Sequence, residues 1–297
     1  MTKNGKCIWI IDTLLQAGEL SLRELNDRWE RSSLYDGKSL HERTFARYKE
    51  HIAAEYNIDI GYSPSANKYF IENREEVRTN ALYRYLLSAY RIAGLNTQAL
   101  HHKDKLMLEP VPTGTEHLST LLQAIDEGRT VLFDYTSYYE DAPQKWELIP
   151  CFLRIFEGRW YLIAEYMDRS RAKTFALERI SGLSIGERRL APSPEITPDE
   201  YYQGCFGIIH EERRPRMIRL RADRQQRCYL RAQPLHESQS EVETTAEYSV
   251  FEYYLRPSFD FYQKVLWMRE KVELLAPEDV REELAAIVGQ MARMYDK

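Results

Sequence analysis

The sequence is poor in cysteine, has no long apolar run and carries no surplus of positive charge. Its four cysteines stand at 7, 151, 205 and 228, with no CxxC pair and no usable His pair beside any of them. A zinc site or a disulfide framework is therefore not expected, and a reducing cytoplasm is the expected location. The longest apolar runs, such as Ile8-Trp9-Ile10-Ile11, are only a few residues long. About 20 are needed to cross a bilayer, so no membrane partner is expected. No basic region followed by an apolar stretch opens the chain, and no secretory signal is read there. The thirteen glycines are scattered. They form neither a GxxxxGK phosphate loop nor a G-x-G-x-x-G turn, and HExxH is missing too. His101-His102 stand in a polar stretch and read as a surface feature. No catalytic residue, metal or cofactor is expected, and the chain is read as a non-enzyme.

What is present is the composition of a packed protein. Of 297 residues, 43% are hydrophobic and 29% charged, which excludes bulk disorder. The length fits two to three compact units. With a net charge of −5, any affinity for a polyanion must rest on local patches. Residues 1–75 carry 11 Lys and Arg against 12 Asp and Glu, and residues 209–297 carry 15 against 16. Two short stretches are basic. Lys38 to Lys49 holds Lys38, Arg43, Arg47 and Lys49 against Glu42 alone, and Arg213 to Arg231 holds eight arginines against Asp223 alone. These are the candidate phosphate-contacting stretches.

Residues 1–75 read as three helices and a short hairpin. Ile8, Ile11 and Leu15 have helical spacing, and Gly18 ends that helix. Ser21-Leu-Arg-Glu24 is an S-x-x-E capping box, followed by Leu22, Leu25 and Trp29. The same device recurs at Ser39-Leu-His-Glu42 and is expected to open the third helix, whose inward stripe is Phe45, Tyr48 and Ile52. Arg43 and Arg47 then point away from that stripe, with Thr44 on its flank. Ile58-Asp-Ile60 and Lys68 to Ile71 read as strands around a Gly-Pro-Asn turn. This order resembles a winged helix-turn-helix, whose third helix enters the major groove of duplex DNA. Lys38, Ser39, Arg43, Thr44, Arg47 and Lys49 are the expected DNA contacts. A solvated amphipathic helix in a small helical domain is the alternative, and the acidic balance of the segment favours it.

Residues 76–117 read as a helical connector. Leu82, Leu86, Ala89 and Ala93 have helical spacing, Gly94 or Asn96 is expected to break the helix, and Pro110 and Pro112 end it. Such a connector serves as a dimer contact, a spacer or simple packing.

Residues 118–208 carry the most information. A helix ending at Gly128 precedes five strand-like runs: 130–135, 146–149, 151–156, 159–164 and 173–177, with Glu157-Gly158 as a tight turn. Five such strands after one helix point to a small, strongly bent sheet or barrel. Arg159-Trp160-Tyr161-Leu162 resembles the signature of the WYL-domain regulators. The flanks are similar to the family as well: Gly128-Arg129-x-Val131-x-Phe133-x-Tyr135, Ile149-Pro150, and Lys173-Thr-Phe175-Ala-Leu177-Glu-Arg179-Ile180. Ala176 stands where an arginine is frequent, and Lys173 replaces another, which puts the strength of an anion site there in question. The resemblance implies an Sm-like barrel that senses a ligand, in bacterial transcription factors with an N-terminal winged helix-turn-helix. Some members respond to single-stranded nucleic acid.

The strands can be read physically as well. A two-residue turn at Glu157-Gly158 pairs Phe156 with Arg159 and Arg154 with Tyr161. Arg154, Phe156, Arg159 and Tyr161 then share one face, while Leu153, Ile155, Trp160 and Leu162 share an apolar one. Guanidinium and aromatic groups on one face suit phosphates and stacked bases. Tyr135, Arg154, Arg159, Tyr161, Lys173 and Arg179 are the expected effector-binding residues. Core packing of Tyr161 and solvation of Arg159 are the alternative.

From Arg216 the chain alternates strand, helix, two strands, helix, strand and helix, in outline a ferredoxin-like α+β sandwich. Arg219 and Arg221 share a face there, open to an anionic effector, a partner subunit or plain solvent. The expected protein is an α+β multidomain chain. Its parts are a winged helix-turn-helix (1–75), a helical connector (76–117), a WYL-type, Sm-like five-stranded barrel (118–208) and a ferredoxin-like C-terminal extension (209–297). Its expected function is transcriptional regulation, as a homodimer on double-stranded DNA that senses an anionic effector (single-stranded DNA, RNA or a nucleotide). An accessory RNA- or ssDNA-binding module of a defence or repair system is the alternative.

Overall fold

The computed structural model describes residues 3–32, 35–101, 105, 114–210 and 213–296. It is a mixed α and β structure with three antiparallel sheets. The chain divides into two compact units, Met1–Glu109 and Pro110–Lys297.

The first unit runs α1 (Lys3–Ala17), β1 (Glu19–Leu20), α2 (Leu22–Glu30), α3 (Glu42–Tyr56), β2 (Ile60–Ser63), β3 (Lys68–Ile71), α4 (Arg74–Thr79) and α5 (Ala81–His101). Its sheet has the order β1-β3-β2. The capping box at Ser21 is formed: the Glu24 amide donates to the Ser21 hydroxyl at 3.2 Å, and the Ser21 amide donates to the Glu24 carboxylate at 2.8 Å. The expected second box at Ser39 is not. Helix α3 begins at Glu42 with His41 as its N-cap, and the Ser39 hydroxyl donates to Glu30 at 2.8 Å instead. The cause is Leu40, 3% exposed, which must be extended to reach the core. The side chain of Asn26 holds it there, accepting from its amide at 2.6 Å and donating to its carbonyl at 2.8 Å. Trp29 is fully buried, and its indole N–H donates to the Lys38 carbonyl at 2.9 Å. Truncating it to alanine costs about 3–5 kcal/mol.

The expected break at Gly94 or Asn96 does not occur, and α5 is continuous. A single helical glycine costs only about 1 kcal/mol, too little to stop a 21-residue helix. Its inward face is also not the one the spacing indicated. Leu82 and Leu86 are 62% and 41% exposed, whereas Leu87 is buried and the Tyr83 hydroxyl donates to the Tyr56 carbonyl at 2.7 Å.

The second unit opens with α6 (Leu118–Asp126), followed by β4 (Arg129–Tyr135), β5 (Gln144–Phe156), β6 (Arg159–Tyr166), β7 (Ala172–Ala176) and β8 (Ile180–Arg189), in sheet order β7-β6-β5-β4-β8. The two runs expected on either side of Pro150 are one strand. Pairing with β4 covers only Gln144–Leu148, so the missing N–H of Pro150 leaves no bond to β4 unmade. The register against β6 shifts at that point. The fifth strand is β8, which the sequence reading passed over. Strands β4 and β7 are not neighbours in the sheet, yet Phe133 and Tyr135 meet Phe175 edge-on at 5.3 and 5.0 Å. The sheet therefore curls over its own core, with Leu121 and Ala124 of α6 filling one end.

The unit continues through α7 (Pro198–Tyr201), β9 (Arg216–Asp223), α8 (Gln226–Ala232), β10 (Ser240–Thr244), β11 (Tyr248–Leu255), α9 (Phe259–Trp267), β12 (Val272–Ala276) and α10 (Glu278–Arg293). These four strands form a sheet in the order β10-β11-β9-β12, with every pair antiparallel. The basic stretch from Arg213 to Arg231 is not an open cationic face. Arg213, Arg216, Arg219, Arg221 and Arg231 each meet a carboxylate: Glu283, Asp279, Glu252, Glu273 and Glu241. Arg227 donates to the Thr245 carbonyl.

Candidate functional site

Helix α3 buries Phe45 and Ile52 and leaves Arg43, Thr44 and Arg47 exposed, as its periodicity demands. Neither arginine makes an ion pair among the described residues. Lys49 lies elsewhere on the helix. Its ammonium sits 5.3 Å from the Tyr69 ring centre, in a groove it shares with Glu42, Glu50, Asp59 and Glu72. Lys38 is exposed in the loop before α3, and Ser39 is half-buried against Glu30. Of the six residues expected to touch DNA, the outer helix face thus gathers Arg43, Thr44 and Arg47.

In the second unit the curled sheet builds a cleft of about 460 Å³. Tyr135 ends β4 and Tyr161 lies on β6; they are 7% and 8% exposed, and burial raises both phenol pKa values above the usual tyrosine range. The Ala176 amide donates to the Tyr135 hydroxyl at 3.3 Å. The strand reading of the Arg154 and Tyr161 pair holds, as does that of Phe156 and Arg159, because Glu157 and Gly158 both have positive φ, as a two-residue hairpin turn requires.

The alternation along β7 stops at Ala176, and Leu177–Arg179 form a 3-10 turn. That turn lets Phe175 and Leu177 be buried while Arg179 reaches the cleft. Arg179 and Thr136 exchange hydrogen bonds: the Arg179 Nε donates to the Thr136 carbonyl at 2.8 Å, and the Thr136 amide donates to the Arg179 carbonyl at 3.2 Å. The guanidinium lies 4.7 Å from the Tyr135 ring centre and 3.8 Å from that of Tyr138. Lys173 stands on the rim, 5.1 Å from the Trp146 ring centre and 5.5 Å from that of Phe175.

Among the described residues that line this cleft are two cations, Lys173 and Arg179, and no carboxylate. Tyr135, Tyr161, Lys173 and Arg179 are therefore brought together as expected. Arg154 and Arg159 are not part of the lining. Arg154 stacks on Tyr202 at 3.7 Å. Arg159 pairs with Glu178 at 3.4 Å, whose other oxygen is buried with no hydrogen-bond partner among the described residues. Three further residues line the cleft that no sequence motif marked: Tyr139, 97% exposed, and Tyr201 and His210, whose rings stack at 4.4 Å. Burial pushes the Tyr201 phenol up to about 12. The tyrosine doublets at 138–139 and 201–202 were the available signal.

Residues 116–185 match the family model of the WYL domain. No curated protein matches the chain. Among solved structures, the proteasome accessory factor B/C (PafBC) of Arthrobacter aurescens superposes with a TM-score of 0.27 at 20% identity, over 65% of this chain. The chain spans only 29% of that protein's length. A CRISPR Cas-related protein superposes with a TM-score of 0.38 at 14% identity, over 91% of this chain and 76% of its own. The match over 116–185 covers both the Arg159-Trp160-Tyr161-Leu162 strand and the Arg179 turn, and it marks that segment of the chain as a WYL domain.

Proposed function

We propose that the chain is a DNA-binding transcriptional regulator whose WYL domain binds an anionic effector, single-stranded nucleic acid or a nucleotide. The observation that carries this reading is the cleft beside Tyr135, in which, among the described residues, two cations and several aromatic rings meet no carboxylate. Phosphates pair with the cations, and bases stack on the rings.

Duplex binding rests on the first unit. Its order α1-β1-α2-α3-β2-β3, with sheet order β1-β3-β2, supports a winged helix-turn-helix over 1–75. In this reading α3 enters the major groove with Arg43, Thr44 and Arg47, while Lys38, Ser39 and Lys49 are secondary. The remaining parts are a connector over 76–117, an Sm-like barrel over 118–208 and a ferredoxin-like extension over 209–297. The extension reading is supported by the β10-β11-β9-β12 order. Promoter half-sites call for a homodimer. Effector binding shifts promoter affinity to the extent that it favours one conformation over another.

An accessory module acting on RNA or single-stranded DNA is the second reading, favoured by the 74% and 97% exposed rings of Tyr138 and Tyr139. Fluorescence anisotropy with a labelled duplex and a labelled 12-nucleotide single strand separates the two. The regulator binds both, the single strand changes its duplex affinity, and selection from a random duplex pool returns one motif. Single-strand binding with no duplex motif decides for the accessory module. A chain that binds neither polymer at moderate salt is neither protein.

A further inference from the structure

The second unit holds another cavity, of about 690 Å³, that shares no lining residue with the cleft. Its floor is Phe206, Leu230 and Met268, each no more than 5% exposed. Its sides come from Phe156, at the end of β5, and from two helices: Tyr229 on α8 and Trp267 at the end of α9. Tyr229 and Trp267 are 62% and 74% exposed, so two of the largest side chains stand in water at the rim of an apolar hollow. Large apolar surface left exposed in this way marks a binding position more often than a packing accident.

Charge and size restrict the occupant. The charged residues in the lining are Lys264 and Glu157, and they pair with each other at 3.4 Å. The mouth is therefore compensated, in contrast to the cationic cleft. Gln226 and Gln233 also line the cavity, and their side-chain amides have no hydrogen-bond partner among the described residues, so each offers one acceptor and two donors. The volume suits a small molecule and is too small for a folded partner. Flat rings fit best, because an aromatic face stacks on tyrosine and indole.

We propose that this cavity is a second ligand site, which takes an uncharged, planar heteroaromatic small molecule stacked on Tyr229 and Trp267 and hydrogen-bonded by Gln226 and Gln233. Such a ligand touches the β5–β6 hairpin and the helices of the C-terminal sheet at once, and so ties these two parts together.

Nile red, a neutral planar heteroaromatic dye, tests the site on the full chain by fluorescence titration. One saturable site is expected. Tyr229→Ala combined with Trp267→Ala weakens it roughly tenfold or more, since loss of a stacking ring is worth about a factor of ten. Lys173→Ala with Arg179→Ala, in the cleft, leaves the dye affinity unchanged. Absence of saturable binding, or wild-type affinity in the folded double variant, overturns the proposal. So does loss on Met291→Glu instead, which places the dye in a separate groove lined by Leu284, Val288 and Met291 of α10. Should the double variant lose its circular dichroism spectrum, Ala232→Trp fills the cavity from an exposed position. Binding that survives that substitution also overturns the site.

Discussion

The guanidinium of Arg179 lies 3.8 Å from the ring centre of Tyr138 while its Nε donates to the carbonyl of Thr136, so one side chain grips both ends of a three-residue segment. It is also one of the two cations of the cleft. Arginine does both tasks because its planar fork stacks and donates at the same time, which a lysine ammonium cannot do.

Lys173→Ala with Arg179→Ala is expected to weaken binding of a 12-nucleotide single strand by on the order of 2–3 kcal/mol, with the fold intact. Two lost phosphate contacts reduce the slope of log K against log salt by about 1.4. Arg159→Ala has a smaller effect, because Arg159 already faces Glu178. Anisotropy titrations at several salt concentrations check both points. An unchanged slope in a folded double variant removes the cleft from consideration as the effector site.

On the DNA side, Arg43→Ala with Arg47→Ala is expected to lower duplex affinity and to reduce the salt slope by about 1.8, at about 0.9 per phosphate contact. Both residues are exposed, so thermal stability stays within about 0.5 kcal/mol of wild type. Lys49→Ala gives the comparison. Its ammonium faces Tyr69 in a groove with four acids, so the slope falls by less than for either arginine. A gel-shift series in which Lys49→Ala matches the double variant rejects the outer face of α3 as the reader.

How far the fold was legible depended on whether local pattern and tertiary demand agreed. Helix α9 (Phe259–Trp267) falls where the alternation after Arg216 places a helix, and Ser258 caps it. Ser21 and Ser39 begin the same S-x-x-E pattern, but only the first caps a helix, because burial of Leu40 outweighs roughly 1 kcal/mol of capping. Strand β8 was hidden by Gly182 and Gly186, which lower strand propensity. At Gly186 a Cβ would come within 2.2 Å of the Thr130 hydroxyl, so the glycine is required by the approach of β4 rather than by a turn. The cleft was half legible for a related reason. Tyr135, Tyr161, Lys173 and Arg179 lie in the matched motif, whereas Tyr201 and His210 come from a later loop whose placement no local periodicity records.

Thiol chemistry gives a simple check on the burial pattern. Burial pushes the Cys7 thiol up to about 11 and the Cys151 thiol up to about 12, and Cys205 is only 4% exposed. The thiolate is the reactive form, so these three should be slow toward a disulfide reagent at pH 8. Cys228 is exposed. One thiol is expected to react promptly in the native protein and four after denaturation. Prompt reaction of two or more native thiols contradicts the packing around Cys7, Cys151 or Cys205.

The pair formed by Arg231 and Glu241 yields a pH dependence whose sign can be worked out. The Arg231 Nε and Nη2 donate to the two Glu241 oxygens at 2.8 and 2.6 Å, joining α8 to the edge strand β10. These hydrogen bonds hold the Glu241 carboxyl down at about 2, against an ordinary value of 4.5. The folded value lies below the unfolded one, so the stabilisation is complete above pH 4.5. It declines as the unfolded state takes up its proton and is gone below about 2. Because both side chains are partly solvated, at 45% and 24% exposure, the pair is worth only about 0.5–1 kcal/mol. Arg231→Ala is therefore expected to lower Tm by roughly 2–4 °C at neutral pH. That difference should fall by more than half by pH 3, as wild type and variant approach each other. Thermal melts of both proteins between pH 7 and pH 3 supply the measurement. A difference that stays constant across this range means that Arg231 acts through packing of its aliphatic stem on β10 and not through the carboxylate.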